Sequence, residues 1–317
     1  MPSISEPSVA ILLCSYNGKN FIRKQLDSIM NQTYKNIKLW ISDDNSTDGT
    51  KDILKEYQDE YGKERIAIIN NAQTKETGFQ SGCVRNFLSI TCNKNIKADF
   101  YAYSDQDDIW KEDKIERAIK SLQDYDNKIP LLYGTRTELI DENEKFIGFS
   151  PLFKKAPSFK NALVQSIAGG NTMLFNDNAM SLLRAAGMVK IISHDWWAYI
   201  LISGAGGKVI YDEIPSLYYR QHGKNIIGSN NGVIAKCKRI AMLFKGNYKQ
   251  WNQSNVNALS TVKHLLTEDN LSTLIKFIKT QNSGLLTRLL KFFSSGVYRQ
   301  TIDGNIALLI GVIFNKI

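Results

Sequence analysis

Three carboxylates fall within four residues at Asp105-Gln106-Asp107-Asp108. The preceding segment, 98–104, is apolar and aromatic and indicates a buried strand, so the carboxylates would emerge at its carboxyl end. Carboxylates this close repel one another unless a cation lies among them, and hard oxygen ligands suit Mg²⁺ or Mn²⁺ that also contacts phosphate. The cluster therefore predicts a metal–diphosphate site. The alternative is a solvated acidic turn ahead of a helix that begins near Lys111.

Two further polar clusters follow predicted strands. The apolar run 8–14 ends in Ser15-Tyr16-Asn17-Gly18, and the strand 37–42 ends in Asp43-Asp44-Asn45-Ser46. Apolar residues at helical spacing separate these strands, and the same alternation continues to about residue 125. Such alternation predicts an α/β fold with parallel strands, whose polar ends converge on one crevice where ligands bind.

The crevice lacks the usual glycine-rich phosphate loops. Neither GxGxxG nor GxxxxGK[ST] occurs in the chain. Phosphate must then be neutralised mainly by metal and by cationic side chains, which agrees with the acidic cluster.

The second part of the chain, to about residue 232, has a mixed pattern. A strand is predicted over 167–175, with Gly169 and Gly170 near its start where another group approaches the backbone closely. Farther on, Ser193 is a suitable N-cap that would place Asp195 in the first turn of a helix. The adjacent Trp196 and Trp197 could line an apolar or sugar-stacking wall.

Length indicates the size of the core, and the cysteines indicate the cellular compartment. The chain has 317 residues, enough for a large core, and its four cysteines show no paired or metal-ligand spacing. Reduced thiols indicate the cytosol. The first residues lack the basic and apolar regions of a signal peptide, and no apolar run reaches the length of a membrane-spanning helix.

The net charge of +9 is unevenly distributed. Residues 1–232 contain 28 basic and 28 acidic residues, whereas 233–317 contain 12 basic and 3 acidic residues. Two regions are therefore predicted, 1–232 and a basic, partly helical region 233–317. The basic region could meet nucleic acid or an anionic membrane surface. Its last apolar run, 306–314, is too short to cross a bilayer as a helix.

These motifs together resemble a known family. The ordered set is Ser15-Tyr16-Asn17, Asp43-Asp44-Asn45-Ser46, Gly78 with Arg85-Asn86, Asp105-Gln106-Asp107-Asp108, His194-Asp195-Trp196-Trp197 and Tyr219-Arg220-Gln221-His222. Over residues 7–230 it is similar to family 2 glycosyltransferases of the GT-A fold, most of all to bacterial rhamnosyltransferases of cell-wall, capsular or O-antigen polysaccharide synthesis. The resemblance implies a mostly parallel sheet flanked by helices. It also implies a nucleotide-sugar half, about 1–125, and an acceptor half, about 126–232.

The resemblance assigns roles in donor binding. Asp44 would accept the N3–H of a pyrimidine base, with Tyr16 beside the ring and the backbone from Cys14 to Tyr16 closing the pocket. A carboxylate there selects uracil or thymine over cytosine. The alternative is that Asp43 and Asp44 cap the next helix.

The ribose and diphosphate would be bound farther along the crevice. Arg85 would reach the ribose or diphosphate, Asp105 would lie nearer the ribose, and Gln106 would belong to the same donor-binding set. Asp107 would bind Mg²⁺ or Mn²⁺, and His222 would complete the metal or diphosphate site. Many family members carry a different residue where Asp108 stands, so its role is open.

For catalysis, the resemblance makes Asp195 the base in a single displacement with inversion. His194 stands where relatives have another residue, and whether it assists the acceptor or only packs is open.

Donor and partners follow from the same resemblance. The expected donor is dTDP-L-rhamnose and the acceptor a lipid-linked saccharide. A UDP-hexose or UDP-galactofuranose donor is the alternative, and a non-catalytic nucleic-acid-binding protein is a remote one. The balanced charge of 1–232 argues against nucleic acid. Residues 233–317 would bind an anionic membrane or form a homodimer, which places the enzyme peripherally on the inner face of the cell membrane.

Overall fold

The structure, a computed structural model, describes residues 6–69, 82–222, 241–281 and 283–317. The strands are β1 (Val9–Ser15), β2 (Ile37–Asp43), β3 (Ile66–Ile69), β4 (Phe100–Ser104), β5 (Ile109–Trp110), β6 (Leu131–Thr135), β7 (Glu138–Ile140), β8 (Phe146–Phe149), β9 (Leu174–Asn176), β10 (Lys208–Asp212) and β11 (Leu217–Arg220). The helices are α1 (Ile22–Met30), α2 (Thr50–Tyr61), α3 (Gly82–Cys92), α4 (Lys114–Gln123), α5 (Phe159–Ala162), α6 (Asp177–Ala186), α7 (His194–Gly204), α8 (Asn247–Thr261), α9 (Glu268–Gln281), α10 (Leu285–Ser295) and α11 (Ile302–Ile313). Two 3₁₀ helices cover Gly170–Thr172 and Lys263–Leu265.

In the described part of the chain, seven strands form one sheet in the order β10-β6-β9-β4-β1-β2-β3. Neighbouring strands are parallel except at β9, which runs antiparallel to both β4 and β6. Helices α1 and α2 connect β1, β2 and β3 as successive crossovers between parallel strands. The predicted α/β class with a mostly parallel sheet is therefore confirmed.

Strand β1 shows why the sheet occupies the centre of this fold. All of its side chains are buried, and because successive side chains point to opposite faces, each face receives every second residue. Ala10 and Leu12 join one hydrophobic cluster, with α3, α6 and α7. Ile11 and Leu13 join the other, with α1, α2 and α4. A sheet covered on both faces accounts for the continuous apolar run in the sequence.

A second sheet, in the order β5-β11-β7-β8, brings segments from later in the chain close to the acidic cluster 105–108. Strand β5 directly follows that cluster and pairs antiparallel with β11, through Trp110 and Leu217. The residues after β11 therefore lie close to 105–108, although they are far away in the sequence.

The C-terminal helices share the larger hydrophobic cluster. Leu259 of α8, Phe277 of α9 and Val312 of α11 belong to the same buried set as Trp197 of α7. The boundary predicted at residue 232 lies outside the described residues and stays a prediction.

The strand predicted over 167–175 is only partly correct. Residues 170–172 form a 3₁₀ turn, and β9 begins at Leu174. The close approach expected at the glycines is present, because a Cβ added to Gly170 would lie 2.4 Å from Nε2 of His194. The glycine therefore lets the backbone of this turn lie directly against the His194 ring.

Candidate active site

The carboxyl ends of β1, β2 and β4 meet at one edge of the large sheet. Ser15 pairs with Asp43 at the ends of β1 and β2, and Leu13 pairs with Ser104, the last residue of β4. The polar segments therefore lie side by side, as the sequence predicted. We call this region the strand-end crevice, formed by residues 14–18, 43–46, 83–85, 105–108, 194–195 and 220–222.

Gln106 links two of these segments. Its side-chain oxygen accepts a hydrogen bond from the Tyr16 backbone N–H at 2.8 Å, and its amide nitrogen donates to the Tyr16 carbonyl at 3.0 Å. A Cβ on Gly18 would lie only 2.3 Å from the Gln106 oxygen, so glycine is required for this approach. The observed contacts give Gln106 a positioning function, since they fix the backbone beside the exposed ring of Tyr16.

The two aspartates after β2 have different partners. Asp43 accepts hydrogen bonds from the Ser46 backbone N–H at 2.8 Å and from the Ser15 hydroxyl at 2.9 Å, which closes the loop. One guanidinium nitrogen of Arg85 donates to both carboxylate oxygens of Asp44, at 2.9 and 3.1 Å. Neither side chain caps α2, whose N-cap is Gly49. The structure thus places Arg85 beside Asp44.

Asp105 lies among like charges. Burial, then the nearby charges of Asp107 and Asp195, raise the pKa of the Asp105 carboxyl well above its ordinary value. Cys83, at the start of α3, is affected by the same carboxylates. Its thiol pKa is raised by burial and then by the charges of Asp105, Asp195, Asp107 and Asp44. Four carboxylates from three segments therefore lie near the Cys83 thiol.

Sequence reasoning did not identify Cys83 as part of the crevice. A single cysteine at the start of a helix carries no signal of its own, and the segment that precedes it, 70–81, lies outside the described residues. The buried thiol of Cys14, at the end of β1, lies close by, and burial followed by the charge of Cys83 raises its pKa.

Asp107 and His222 form the pair that could hold a metal ion. Nε2 of His222 lies 2.8 Å from Oδ2 of Asp107, and its ring stacks on Phe21 at a centroid distance of 4.9 Å. Two ligands about 2.1 Å from one octahedral cation, in adjacent positions, are about 3 Å apart, so the pair has a suitable separation. Among the residues that the structure describes, no group of three His, Cys, Asp or Glu side chains is placed to bind a metal. The pair therefore fits a cation that takes its remaining ligands from phosphate or water.

Asp108, by contrast, is a structural residue. It is fully buried, and its two oxygens accept hydrogen bonds from the Asn171 amide and from the Arg220 backbone N–H. Burial and the charges of Asp107 and Asp105 raise its pKa. The arrangement directs Asp108 into the protein, away from the crevice.

Arg220 supports the same loop. Its side chain is almost fully buried, donates to the Asp107 carbonyl at 3.1 Å and contacts the Glu144 carboxylate at 3.2 Å. Its guanidinium also lies over the ring of Phe21, 5.0 Å from the centroid. Arg220 is thus committed to holding the acidic loop. The sequence patterns did not predict that Asn171 and Phe21 support the acidic loop. The only signal for Asn171 was its position as a polar residue directly after Gly169 and Gly170.

Helix α7 brings Asp195 to the crevice in its first turn, with Ser193 at the predicted N-cap position. The Ser193 side chain makes no capping hydrogen bond, whereas an Asp195 oxygen lies 2.6 Å from the Trp196 backbone nitrogen. His194, the residue before Asp195, meets the Tyr103 ring of β4, so Asp195 lies near the end of that strand, and its charge adds to the raised pKa of Asp105 and Cys83 after burial and other charges.

His194 packs as a neutral ring. It stacks on Phe87 at a centroid distance of 3.8 Å, meets the edge of Tyr103 at 5.0 Å, and lies against Gly170. Burial lowers its pKa to about 4, although the charge of Asp195 acts in the opposite direction. Its Nε2 is buried without a hydrogen-bond partner in the described part of the structure. The ring of His194 is therefore packed in the protein interior.

The predicted sugar-stacking wall is wrong. Trp196 and Trp197 are both buried, and Trp196 donates its indole N–H to the Ala162 carbonyl at 2.7 Å. Helix α7 is apolar on all sides and runs through the larger cluster, so its aromatic side chains belong to the core.

Beside His222 the surface opens into a depression of about 480 Å³, lined by Asp141, Glu142, Asn143, Gln221 and His222. Its walls are polar and come from the turn between β7 and β8 and from the residues after β11. This space adjoins the Asp107–His222 pair and is accessible to a polar ligand.

The chain is similar to several known proteins. Residues 10–180 match the model of the family described as glycosyl transferase family 2. The chain is 30% identical over 258 residues to a dTDP-rhamnosyl transferase, RfbG, of Shigella flexneri, covering 78% of this chain and 84% of that protein. It is 33% identical over 135 residues to a UDP-Glc:alpha-D-GlcNAc-diphosphoundecaprenol beta-1,3-glucosyltransferase, WfgD, of Escherichia coli, covering 43% of this chain and 47% of that protein.

The fold also resembles that of S. aureus TarS 1-349, solved in complex with UDP-GlcNAc. The likeness has a TM-score of 0.52 at 12% identity and covers 91% of this chain and 90% of that one. At this identity the likeness shows the GT-A fold, and the fold predicted from the sequence is confirmed.

Proposed function

The chain belongs to glycosyl transferase family 2, and on this basis we propose that it is an inverting enzyme that moves L-rhamnose from dTDP-L-rhamnose to a hydroxyl group of a lipid-linked saccharide. One observation carries the proposal. Asp195 directly follows His194, whose ring meets Tyr103 of β4 close to the end of that strand, and in the loop after β4 Asp107 contacts His222. A base for the acceptor and a metal–diphosphate site would then share one crevice.

The nucleoside would bind at Asp44. This carboxylate follows β2, and its backbone N–H donates to the Ser15 carbonyl at 2.8 Å, beside the loop that carries Tyr16. Carboxylate oxygens accept the ring N–H of thymine or uracil, which cytosine lacks. Because Arg85 contacts Asp44 directly, we assign it to orienting that carboxylate rather than to the diphosphate.

The diphosphate would lie between Asp105 and His222. Asp107 and His222 would hold Mg²⁺ or Mn²⁺, with Asp105 nearer the ribose and Gln106 fixing the Tyr16 backbone. A divalent cation held there would supply positive charge against the negative charge that develops on the departing nucleoside diphosphate.

Asp195 would act as the base. It accepts the proton of the acceptor hydroxyl while that oxygen attacks the anomeric carbon and the bond to the diphosphate oxygen breaks. A single displacement of this kind inverts the anomeric configuration. The depression beside His222 provides room for part of the bound reactants.

Similarity to the Shigella dTDP-rhamnosyl transferase, which extends over 78% of the chain, supports dTDP-L-rhamnose as the donor. The second candidate is a UDP-hexose, including UDP-galactofuranose, and the match to the UDP-Glc-dependent E. coli enzyme supports it over a shorter region. With a lipid-linked acceptor, the enzyme would work at the cytoplasmic face of a bacterial cell membrane.

The test is a product-release assay with dTDP-L-rhamnose, UDP-glucose, UDP-galactofuranose and GDP-mannose, each with Mn²⁺ or Mg²⁺ and with EDTA. We expect the fastest nucleoside diphosphate release from dTDP-L-rhamnose and its loss in EDTA. Preference for a UDP-sugar would establish the second candidate instead. Full activity in EDTA would contradict the assignment of Asp107 and His222 to a metal.

A further inference from the structure

Helices α10 and α11 form an antiparallel hairpin at the C-terminal end of the described chain. The Arg288 side chain near the start of α10 donates to the carbonyls of Val312 and Ile313 at the end of α11, at 3.1 and 3.2 Å. The end of α10 at Ser295 is joined to the start of α11 at Ile302 by a short connection. Arg288 thus caps α11 and holds the two helices together.

Both helices leave apolar faces exposed. On α10, Leu286, Leu290 and Phe293 are 66% to 79% exposed and recur at the i, i+4, i+7 spacing of one helix face. On α11, Ile302, Ile306 and Ile313 are 40% to 77% exposed and also share one face. Six large apolar side chains on one hairpin exceed the scattered apolar residues of an ordinary surface.

Two further large apolar side chains are exposed in this part of the chain. Phe314, directly after α11, is exposed, and its ring meets that of Phe244 at a centroid distance of 5.9 Å. We call the hairpin with these two rings the apolar hairpin face.

Cations accompany this face along the sequence. Lys245 follows Phe244, Lys291 follows Leu290, and Lys316 lies two residues after Phe314. Asp303 is the single acidic residue in 285–317. Basic groups beside exposed apolar side chains are typical of surfaces that bind anionic lipid.

No helix in the described residues is long and apolar enough to cross a bilayer. Helix α11 has 12 residues, about 18 Å in length, whereas the hydrocarbon core is about 30 Å thick. The hairpin would therefore lie in the plane of the interface, with its apolar side chains inserted and its lysines at the headgroups.

We propose that the apolar hairpin face inserts in-plane into an anionic lipid bilayer. Membrane insertion would bring the enzyme to its lipid-linked acceptor, which would lie in that same membrane. In this respect the inference rests on the proposed function. A second copy of the chain is a poorer occupant, since joining two faces with such a basic excess would place like charges together.

The test is vesicle sedimentation of the full chain with phosphatidylcholine alone and with phosphatidylcholine containing phosphatidylglycerol. We expect binding to the anionic vesicles, weaker binding in high salt, and at least tenfold weaker binding by the triple variant Leu286→Ser/Leu290→Ser/Phe293→Ser. The control variant Ile147→Ser/Ile214→Ser removes exposed apolar side chains elsewhere and should bind within twofold of the parent. Circular dichroism melting would verify that both variants fold.

Equal sedimentation with neutral and anionic vesicles, or unchanged binding by the triple variant, would overturn the proposal. A dimer seen by light scattering in the parent and lost in the triple variant would assign the face to a second copy. Donor turnover with a soluble acceptor should be the same in parent and triple variant. Lipid binding and transferase activity are thus measured separately, and either can fail alone.

Discussion

The strand-end crevice and the apolar hairpin face both contain side chains in an unfavourable environment. In the crevice these are crowded carboxylates, and on the hairpin they are apolar side chains exposed to water. In the crevice, burial and then the charges of Asp107 and Asp195 raise the pKa of the Asp105 carboxyl. On the hairpin, large apolar side chains such as Leu286 and Ile302 remain in water. A cation with a diphosphate would relieve the first, and a lipid interface the second. The proposed ligands therefore differ as the two regions differ, with a cation for the crevice and lipid for the hairpin.

Within the crevice, the adjacent residues Asp107 and Asp108 provide the sharpest test of this comparison. Asp107→Asn weakens the metal site, so we expect transfer to fall on the order of 10³-fold with little change in the free energy of unfolding. Asp108→Asn should instead lower the free energy of unfolding by about 1–3 kcal/mol, because one of its two buried N–H donors would then face an amide nitrogen.

Calorimetric titration with Mn²⁺ and urea unfolding of both variants would separate the two effects. If Asp108→Asn lost metal affinity as severely as Asp107→Asn without loss of stability, the division of the acidic loop into an outward ligand and an inward anchor would be wrong.

His194 gives a smaller effect, through pH. Its pKa is lowered to about 4 in the folded state, against about 6.5 in an unfolded chain, because burial disfavours the charged ring. Between these values the unfolded chain binds more protons, so stability falls as the pH drops through this window. From pH 7 to pH 5 we expect His194 to contribute a loss of about 2 kcal/mol.

Urea unfolding of the parent and of His194→Gln at pH 7 and pH 5 would check this, since glutamine does not titrate. The parent should lose more stability than the variant. Equal losses would show that the imidazole is not a buried neutral group.

Sequence patterns predicted the part of the site that depends on local order. Strand and helix periodicity placed Ser15, Asp43 and Ser104 at strand ends, and parallel register then brought these ends together. The assignment of Asp107 and His222 to one metal or diphosphate site came from the resemblance rather than from spacing, because 115 residues separate the two side chains.

Other features could not be predicted because they depend on tertiary packing. Trp196 and Trp197 follow a candidate base, and nothing local distinguishes a ligand-stacking wall from a buried helix. Cys83 enters the crevice through the position of α3, and Asp108 turns inward because Asn171 and Arg220 receive it. Likewise, apolar periodicity predicted helices after residue 233 without revealing which of their faces stays uncovered.

We propose Asp195 as the catalytic base of the strand-end crevice, and the variant Asp195→Asn separates that role from a purely structural one. Asparagine is nearly isosteric and supports a helix start about as well as aspartate, but a neutral amide cannot accept the proton. Asp52→Asn is the matched control, since Asp52 is also in the first turn of a helix and is exposed on α2.

The measurement is the rate of sugar transfer at saturating donor, together with donor affinity, for the parent and both variants. We predict that Asp195→Asn folds and binds donor with near-normal affinity while its transfer rate falls on the order of 10²–10⁴-fold, and that Asp52→Asn keeps the parental rate. Transfer by Asp195→Asn within a few-fold of the parent would contradict the account and would require another carboxylate of the crevice as the base.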